Sequence, residues 1–406
     1  MLKTLLVLVM AIYLALACGS NVTAALEFED LFRAGLDAED GGNLDDALRL
    51  ISRAVEIQPR SAHTWAKRGE IYLRKGEPRA AIKDLLHAIR LDPAYPAAYT
   101  RLGFAYNAIN EYDKAIDALT VAMKLDPSSA EAINTRGFAL NGKGDYDRAI
   151  KDFDQAIRLN SNDARFYNNR GFALNGKRDY DRAIEDFDRA IKLDSNQAMA
   201  YNNRGVAFLR KRSHEEAIKD FDRAIKIDSK FWSAYHNRGM AYSGLCRHEK
   251  AVEEFSKVIE ANPNNSLVYK DRGTVYRKMG DYDSAIRDLE KAIQLDKNSA
   301  PAHGDLALLY ATVEESRYRN PRKALSLAEK AVKLAGGNSG DMLQNLALVQ
   351  HALDHKGEAF RTLDKALALD PGNKEYLELM EKWGRPVARR YPPPDRSAAR
   401  PFSSLW

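Results

Sequence analysis

Residues 62–95 read AHTWAKRGEIYLRKGEPRAAIKDLLHAIRLDPAY, and this stretch decides the fold. Gly69 and Ala81 stand twelve residues apart, small enough for two antiparallel helices to approach closely there. The same two positions recur along the chain. Glycine stands at 35, 69, 103, 137, 171, 205, 239 and 273, and alanine at 47, 81, 115, 149, 183, 217, 251 and 285, every step being 34 residues. A 34-residue period reads as a helix–turn–helix unit repeated in an array. Apolar residues keep helical spacing around the small ones, as in Tyr99, Leu102 and Tyr106, then Ala115, Leu119 and Ala122. Turn signals such as Asn110, Gly144-Asp145 and Gly280-Asp281 separate the helices. Pro or Ser closes most units, at Pro59, Pro93, Pro127, Ser161, Ser195, Ser229 and Pro263.

Trp65, Gly69, Tyr72, Ala81, Leu85, Ala88 and Pro93 give the unit its signature, which resembles the tetratricopeptide repeat. The resemblance implies an all-α, right-handed superhelical solenoid. Ten units fill residues 28–373, starting at 28, 62, 96, 130, 164, 198, 232, 266, 300 and 340. The ninth is irregular, with five extra residues around 314–320 and one before the tenth. Residues 374–384 read as the solvating cap helix that such arrays need.

Position seven of the unit is Arg68, Arg136, Arg170, Arg204, Arg238 and Arg272 in six units. Position 23 is acidic in the same six: Asp84, Asp152, Asp186, Asp220, Glu254 and Asp288. The other four units have Ala34, Leu102, Leu306 and Leu346 with Leu50, Ala118, Leu327 and Thr362. This covariation predicts an ion pair inside each of the six units, from its first helix to its second. A partly buried guanidinium needs an acceptor.

The 406 residues are 45% hydrophobic and 29% charged, which excludes wholesale disorder and exceeds one compact core. Net charge is +5, and residues 385–406 account for four of these through five arginines against Asp395. The body is near neutral and carries no nucleic-acid footprint. Two cysteines exclude a disulfide scaffold. Lys3 and the uncharged residues 4–17 read as an export signal, too short for a mature membrane helix. Leu14-Ala15-Leu16-Ala17-Cys18 resembles a bacterial lipobox, although Leu14 stands four residues before the cysteine rather than three. That resemblance implies lipidation of Cys18, anchoring to a membrane, and a periplasmic or outer-membrane location. Ordinary cleavage, there or near Ala24, gives a secreted chain instead. Residues 18–27 form a leader, and Cys246 is left as a lone thiol that packs. The tail, 385–406, with Pro386, Pro392, Pro393, Pro394 and Pro401, reads as a disordered solubilising end; its arginines and Trp406 also suit anionic lipid or an acidic partner.

The resemblance implies that first helices line a concave groove and that the groove holds a protein or peptide partner. By helical spacing, positions 2, 5, 6, 9 and 12 of each first helix face it. Units four to eight then offer Asn134, Phe138, Arg165, Asn168, Asn169, Phe172, Asn202, Asn203, His236, Asn237 and Lys270 as contacts. Asn141 and Asn175, at position 12, point the same way. Asn169, Asn203 and Asn237 form a ladder with one rung per repeat. A carboxamide donates and accepts at once, so the ladder suits the backbone of an extended peptide. Such a ladder looks like one in peptide-binding members of the family; the Lys/Asn spacing of the family's carboxylate clamp is not reproduced. The plainer reading is a duplicated helix face with solvated asparagines, since Arg-Gly-Phe-Ala-Leu-Asn-Gly-Lys occurs at both 136 and 170.

No phosphate-cradling glycine loop occurs, no nucleophile–histidine–acid set has a structural context, and no cofactor is implied. His351 and His355 stand four apart but lack a third metal ligand, and read as a solvated helix end. Outside array and cap lie 27 residues of signal and leader and 22 of tail, which leaves no room for a catalytic domain. The sequence thus reads as a non-enzymatic, exported scaffold or adaptor. A non-catalytic subunit of an envelope enzyme complex and a glycan- or peptidoglycan-binding envelope component are the alternatives, and the oligomeric state is left open.

Overall fold

The computed structural model describes residues 24–384; the expected signal, Cys18 and the tail lie outside them. The described residues form twenty-one helices and no strand. The chain divides into two compact units, one ending at Ser195 and the other beginning at Asn196. The first holds α1 (24–40), α2 (Leu44–Ile57), α3 (Ala62–Arg74), α4 (Pro78–Leu91), α5 (Pro96–Ala108), α6 (Tyr112–Leu125), α7 (Ala130–Gly142), α8 (Tyr146–Leu159), α9 (Ala164–Gly176) and α10 (Tyr180–Leu193). The second holds α11 (Ala198–Arg210), α12 (His214–Ile227), α13 (Trp232–Gly244), α14 (His248–Ala261), α15 (Ser266–Met279), α16 (Tyr282–Leu295), α17 (Ala300–Thr312), α18 (Pro321–Leu334), α19 (Gly340–Ala352), α20 (Lys356–Leu369) and α21 (Lys374–Lys382). Odd-numbered helices from α1 to α19 are the first helices of the repeats, and the even-numbered helix after each is its packing partner.

Short polar residues start many of the helices. Ser61, Ser129 and Ser299 accept from backbone N–H groups three residues on, capping α3, α7 and α17. Pro78, Pro96 and Pro321 open α4, α5 and α18, where no N–H is required. The turn inside most repeats needs a left-handed residue at position 15. Gly76, Gly144 and Gly280 meet that need without strain, whereas Arg178, Arg212 and Cys246 are held there with φ of 57° to 65°.

The recurring glycine has a steric cause. A Cβ on Gly137 would lie 2.6 Å from the Phe153 ring, and one on Gly205 the same distance from Phe221. Both rings are fully buried. The second-helix ring therefore sits in the space that a side chain on the first helix would fill. Around this contact, small core patches recur within each unit, such as Leu140, Ala149, Phe153 and Ala173.

All six expected ion pairs form. In five of them Nε and Nη2 of the arginine donate to separate oxygens of one Asp, as in Arg136 to Asp152 and Arg170 to Asp186; Arg238 gives both to one oxygen of Glu254. A third arm, Nη1, reaches the preceding repeat: Arg136 to Thr120, Arg170 to Asp154, Arg238 to Asp222 and Arg272 to Ser256. The same guanidinium lies over an aromatic ring three residues earlier, as Arg68 over Trp65 at 4.6 Å and Arg238 over Tyr235 at 5.4 Å. The sequence shows the pair; it does not show that the third arm ties neighbouring repeats together.

The ninth repeat departs from the pattern. Residues 313–320 loop between α17 and α18, pinned by Asn320 N–H donating to Tyr310 O and by Tyr318 Oη donating to Asp283.

Candidate functional site

The first helices present a row of apolar side chains at position 9. In the first compact unit Phe104 on α5 and Phe138 on α7 are 37% and 48% exposed, and Phe172 on α9 is half-buried. In the second, Met240 on α13 is 38% exposed and Val206 on α11 is half-buried. Position 2 adds exposed Met199 and Leu267. Large apolar side chains open to water on one helix row are the chemistry of a docking face.

Two of the five positions read as groove-facing are consumed by packing. At position 5, Asn134, Asn168 and Asn202 are each only 7% exposed. At position 12, Asn107 and Asn141 are buried, and their Nδ2 groups donate to the Thr135 and Asn169 carbonyls of the next first helix. Carboxamides there serve as cross-braces between repeats, because the close approach of first helices leaves a carbonyl within reach. The ladder is also bonded along its length: Asn169 Nδ2 donates to Asn134 Oδ1 at 3.0 Å, and Asn237 Nδ2 to Asn202 Oδ1 at 2.9 Å. Asn203 is half-buried. These bonds use part of the donor and acceptor capacity that the sequence reading left open to a peptide. Arg165 is turned back onto its own helix cap, with Nη2 2.6 Å from Asp163, and its donation holds the Asp163 carboxyl below the usual range.

In the second compact unit the ladder continues with carboxylates. Asp271 and Asp305 follow Asn203 and Asn237 at the same 34-residue step, a signal present in the sequence and overlooked. Asp271 Oδ2 lies 2.7 Å from His236 Nε2, and its Oδ1 accepts from Lys270. Burial opposes the Asp271 charge, but these partners hold its carboxyl below the usual range. Asp305 accepts from Thr274 Oγ1 at 2.8 Å, and burial pushes its carboxyl above the usual range. Arg277 replaces the position-12 asparagine on α15; its Nε is buried with no partner among the described residues. The face of α13, α15 and α17 therefore joins His236 and Lys270 to three side chains, Asp271, Arg277 and Asp305, that sequence patterning alone did not single out.

Near the start of the first unit, Glu39 is buried between Lys67 at 2.7 Å and Arg74 at 2.9 Å. Burial works against its charge, and the two cations nevertheless hold its carboxyl below the ordinary range. Among the described residues no group of three or more His, Cys, Asp or Glu is placed to hold a metal ion, and no helix is long and apolar enough to cross a membrane. Two expectations are corrected. His351 is not simply solvated but stacks on Trp383, with ring centroids 4.2 Å apart. Cys246 is exposed in a left-handed turn rather than packed.

Models of the tetratricopeptide repeat match residues 69–109, 96–129, 139–198, 173–230, 232–265 and 266–299, together more than half of the chain. No curated protein matches it. Among solved structures, a tetratricopeptide repeat protein from Parabacteroides merdae is 19% identical, with 60% of this chain and 96% of that one covered and a TM-score of 0.51. Yeast Tom70 is 16% identical over 88% of this chain and 94% of its own, with a TM-score of 0.50. The human IFIT1 dimer with m7Gppp-AAAA is 15% identical over 84% and 89%, with a TM-score of 0.52. At these identities the likeness is one of fold.

Proposed function

Because the chain belongs to the tetratricopeptide repeat family, we propose that it is a scaffold whose first-helix face docks a protein or peptide partner. The observation that carries this reading is the exposed position-9 row, Phe104 and Phe138 in one compact unit and Met240 in the other. The neighbouring asparagines brace the repeats, so the apolar row supplies contact area and the polar groups beside it supply register. Covering the part of Phe138 that is still exposed, 48%, contributes roughly 1 kcal/mol. Such a scaffold works by holding and needs no reacting group. The leader sequence supports a place outside the cytoplasm of a bacterium, with Cys18 as a lipid anchor; mass spectrometry of the mature N-terminus tests that part by itself. The docking reading is tested by changing Phe104 and Phe138 together to Glu. Affinity for a partner identified by crosslinking drops at least tenfold while the circular dichroism spectrum is unchanged; unchanged affinity moves the site elsewhere.

A further inference from the structure

The near-neutral charge of the repeats hides an uneven placement. Positions 22, 26 and 29 of each repeat stand four and three residues apart on its second helix and share one face. Burial identifies that face as the outer one: on α8, Asp152, Phe153 and Ala156 are buried, whereas Lys151 and Arg158 are exposed. In the first compact unit these positions hold nine cations and three acids. In the second they hold ten cations and two acids, the ninth repeat being counted after its insertion. On α12 all three are cations, Lys219, Arg223 and Lys226, and all three are exposed. Among the described residues only Arg49, Arg53 and Lys257 of this stripe lie within ion-pair distance of an acid. The balancing carboxylates are engaged elsewhere, Asp152 with Arg136 inside the repeat, and Asp113 and Asp147 with Lys143 and Lys177 at the start of the second helices. The helix dipole favours a cation in the last turn, which accounts for position 29 but not for Lys151 and Lys219 in mid-helix.

Charge and apolar side chains together select the partner. Leu91, Leu125 and Leu159 follow directly on Arg90, Lys124 and Arg158, and all three are exposed. A leucine beside a cation gains free energy where acyl chains lie beneath anionic headgroups, and gains little at a sugar–phosphate backbone. The stripe carries no Phe, Tyr or Trp, so it offers no platform for stacked bases. A protein interface packs an apolar core within about 800 Å² on each partner. Here single leucines are spread over successive repeats, which suits a plane of headgroups and not one globular partner.

We propose that the outer stripe of the second helices is a membrane-docking surface. Its lysines and arginines bind the phosphate groups of an anionic bilayer leaflet, and the leucines beside them enter the boundary between headgroups and acyl chains. The surface uses none of the side chains of the first-helix docking reading and stands apart from it.

The test is sedimentation of the full chain with vesicles of phosphatidylcholine alone and of phosphatidylcholine mixed with phosphatidylglycerol. At low salt the mixed vesicles bind about tenfold more tightly or better, and about 1 M salt, where the Debye length is about 3 Å, closes the gap. Comparing the two lipid compositions cancels any contribution from the uncharged residues 4–17. Lys151→Glu, Lys219→Glu, Lys226→Glu and Lys330→Glu together remove most of the preference, with the circular dichroism spectrum unchanged. Changing Arg389, Arg390, Arg396 and Arg400 of the tail to Gln leaves most of it. The lipid and salt comparisons and the tail variant stand even if the lysine variant misfolds. Equal binding to both vesicles, a preference that survives the four lysine changes or is lost with the tail arginines, or tighter capture by duplex RNA than by the mixed vesicles overturns the proposal.

Discussion

Arg136 and Asp152 meet at two points, Nε to Oδ2 and Nη2 to Oδ1, both 2.8 Å, across the two helices of one repeat. Removing one partner of a buried pair ordinarily costs about 3–5 kcal/mol. Arg136 keeps 20% of its side chain exposed, so Asp152→Ala is expected to cost about 2 kcal/mol. Leu102 and Ala118 occupy the same two positions one repeat earlier. Arg136→Leu combined with Asp152→Ala therefore recovers most of that loss. Urea unfolding of the three variants checks the order; a double variant worse than Asp152→Ala contradicts it.

Gly137→Ala tests the close approach of the helices. In an ordinary helix this change is favourable by about 1 kcal/mol. Here the new Cβ would lie 2.6 Å from the fully buried Phe153 ring, and overpacking of about 1–3 kcal/mol dominates. The same urea measurement should show net destabilisation, and a gain in stability would mean the ring moves aside freely.

Arg212 is exposed and held at φ 63°, a conformation that costs a side-chain-bearing residue about 1–2 kcal/mol. Glycine removes that strain but loses roughly 0.5–1 kcal/mol of chain entropy. Arg212→Gly is expected to stabilise by about 0.5 kcal/mol, seen as a small rise in thermal midpoint. A fall would show that the arginine makes compensating contacts.

Asp305 gives a pH-dependent effect of determined sign. Burial raises its carboxyl above the unfolded value, so its relative contribution to stability is full below the ordinary carboxylate range and is lost as pH rises through the folded value. Asp305→Asn keeps an oxygen for Thr274 and removes the charge. The variant melts higher than the parent at pH 7, and the gap closes near pH 3. A gap that widens on acidification contradicts the assignment.

The fold was legible because its rules repeat: Gly137 and Ala149 recur every 34 residues, and Arg136 varies together with Asp152. Repetition exposes what each repeat shares. It hides what each position does with its neighbours. Asn141 and Asn169 look alike in sequence, yet the Nδ2 of Asn141 braces the Asn169 carbonyl while Asn169 bonds Asn134 side chain to side chain. Helical spacing places a residue on a face but does not say how closely the next helix stands, and that distance decides whether Asn134 meets water or another carboxamide. Arg277 and Asp305 each break an asparagine pattern, so repetition does not mark them, and what each touches depends on the neighbouring helix.

The most direct measurement places a photoreactive benzophenone side chain at position 138 on the first-helix face or at exposed position 151 on the second-helix face, in the cell that makes the protein. The account predicts one discrete crosslinked partner from position 138 and none from position 151. Crosslinks from 151 with none from 138 would contradict it.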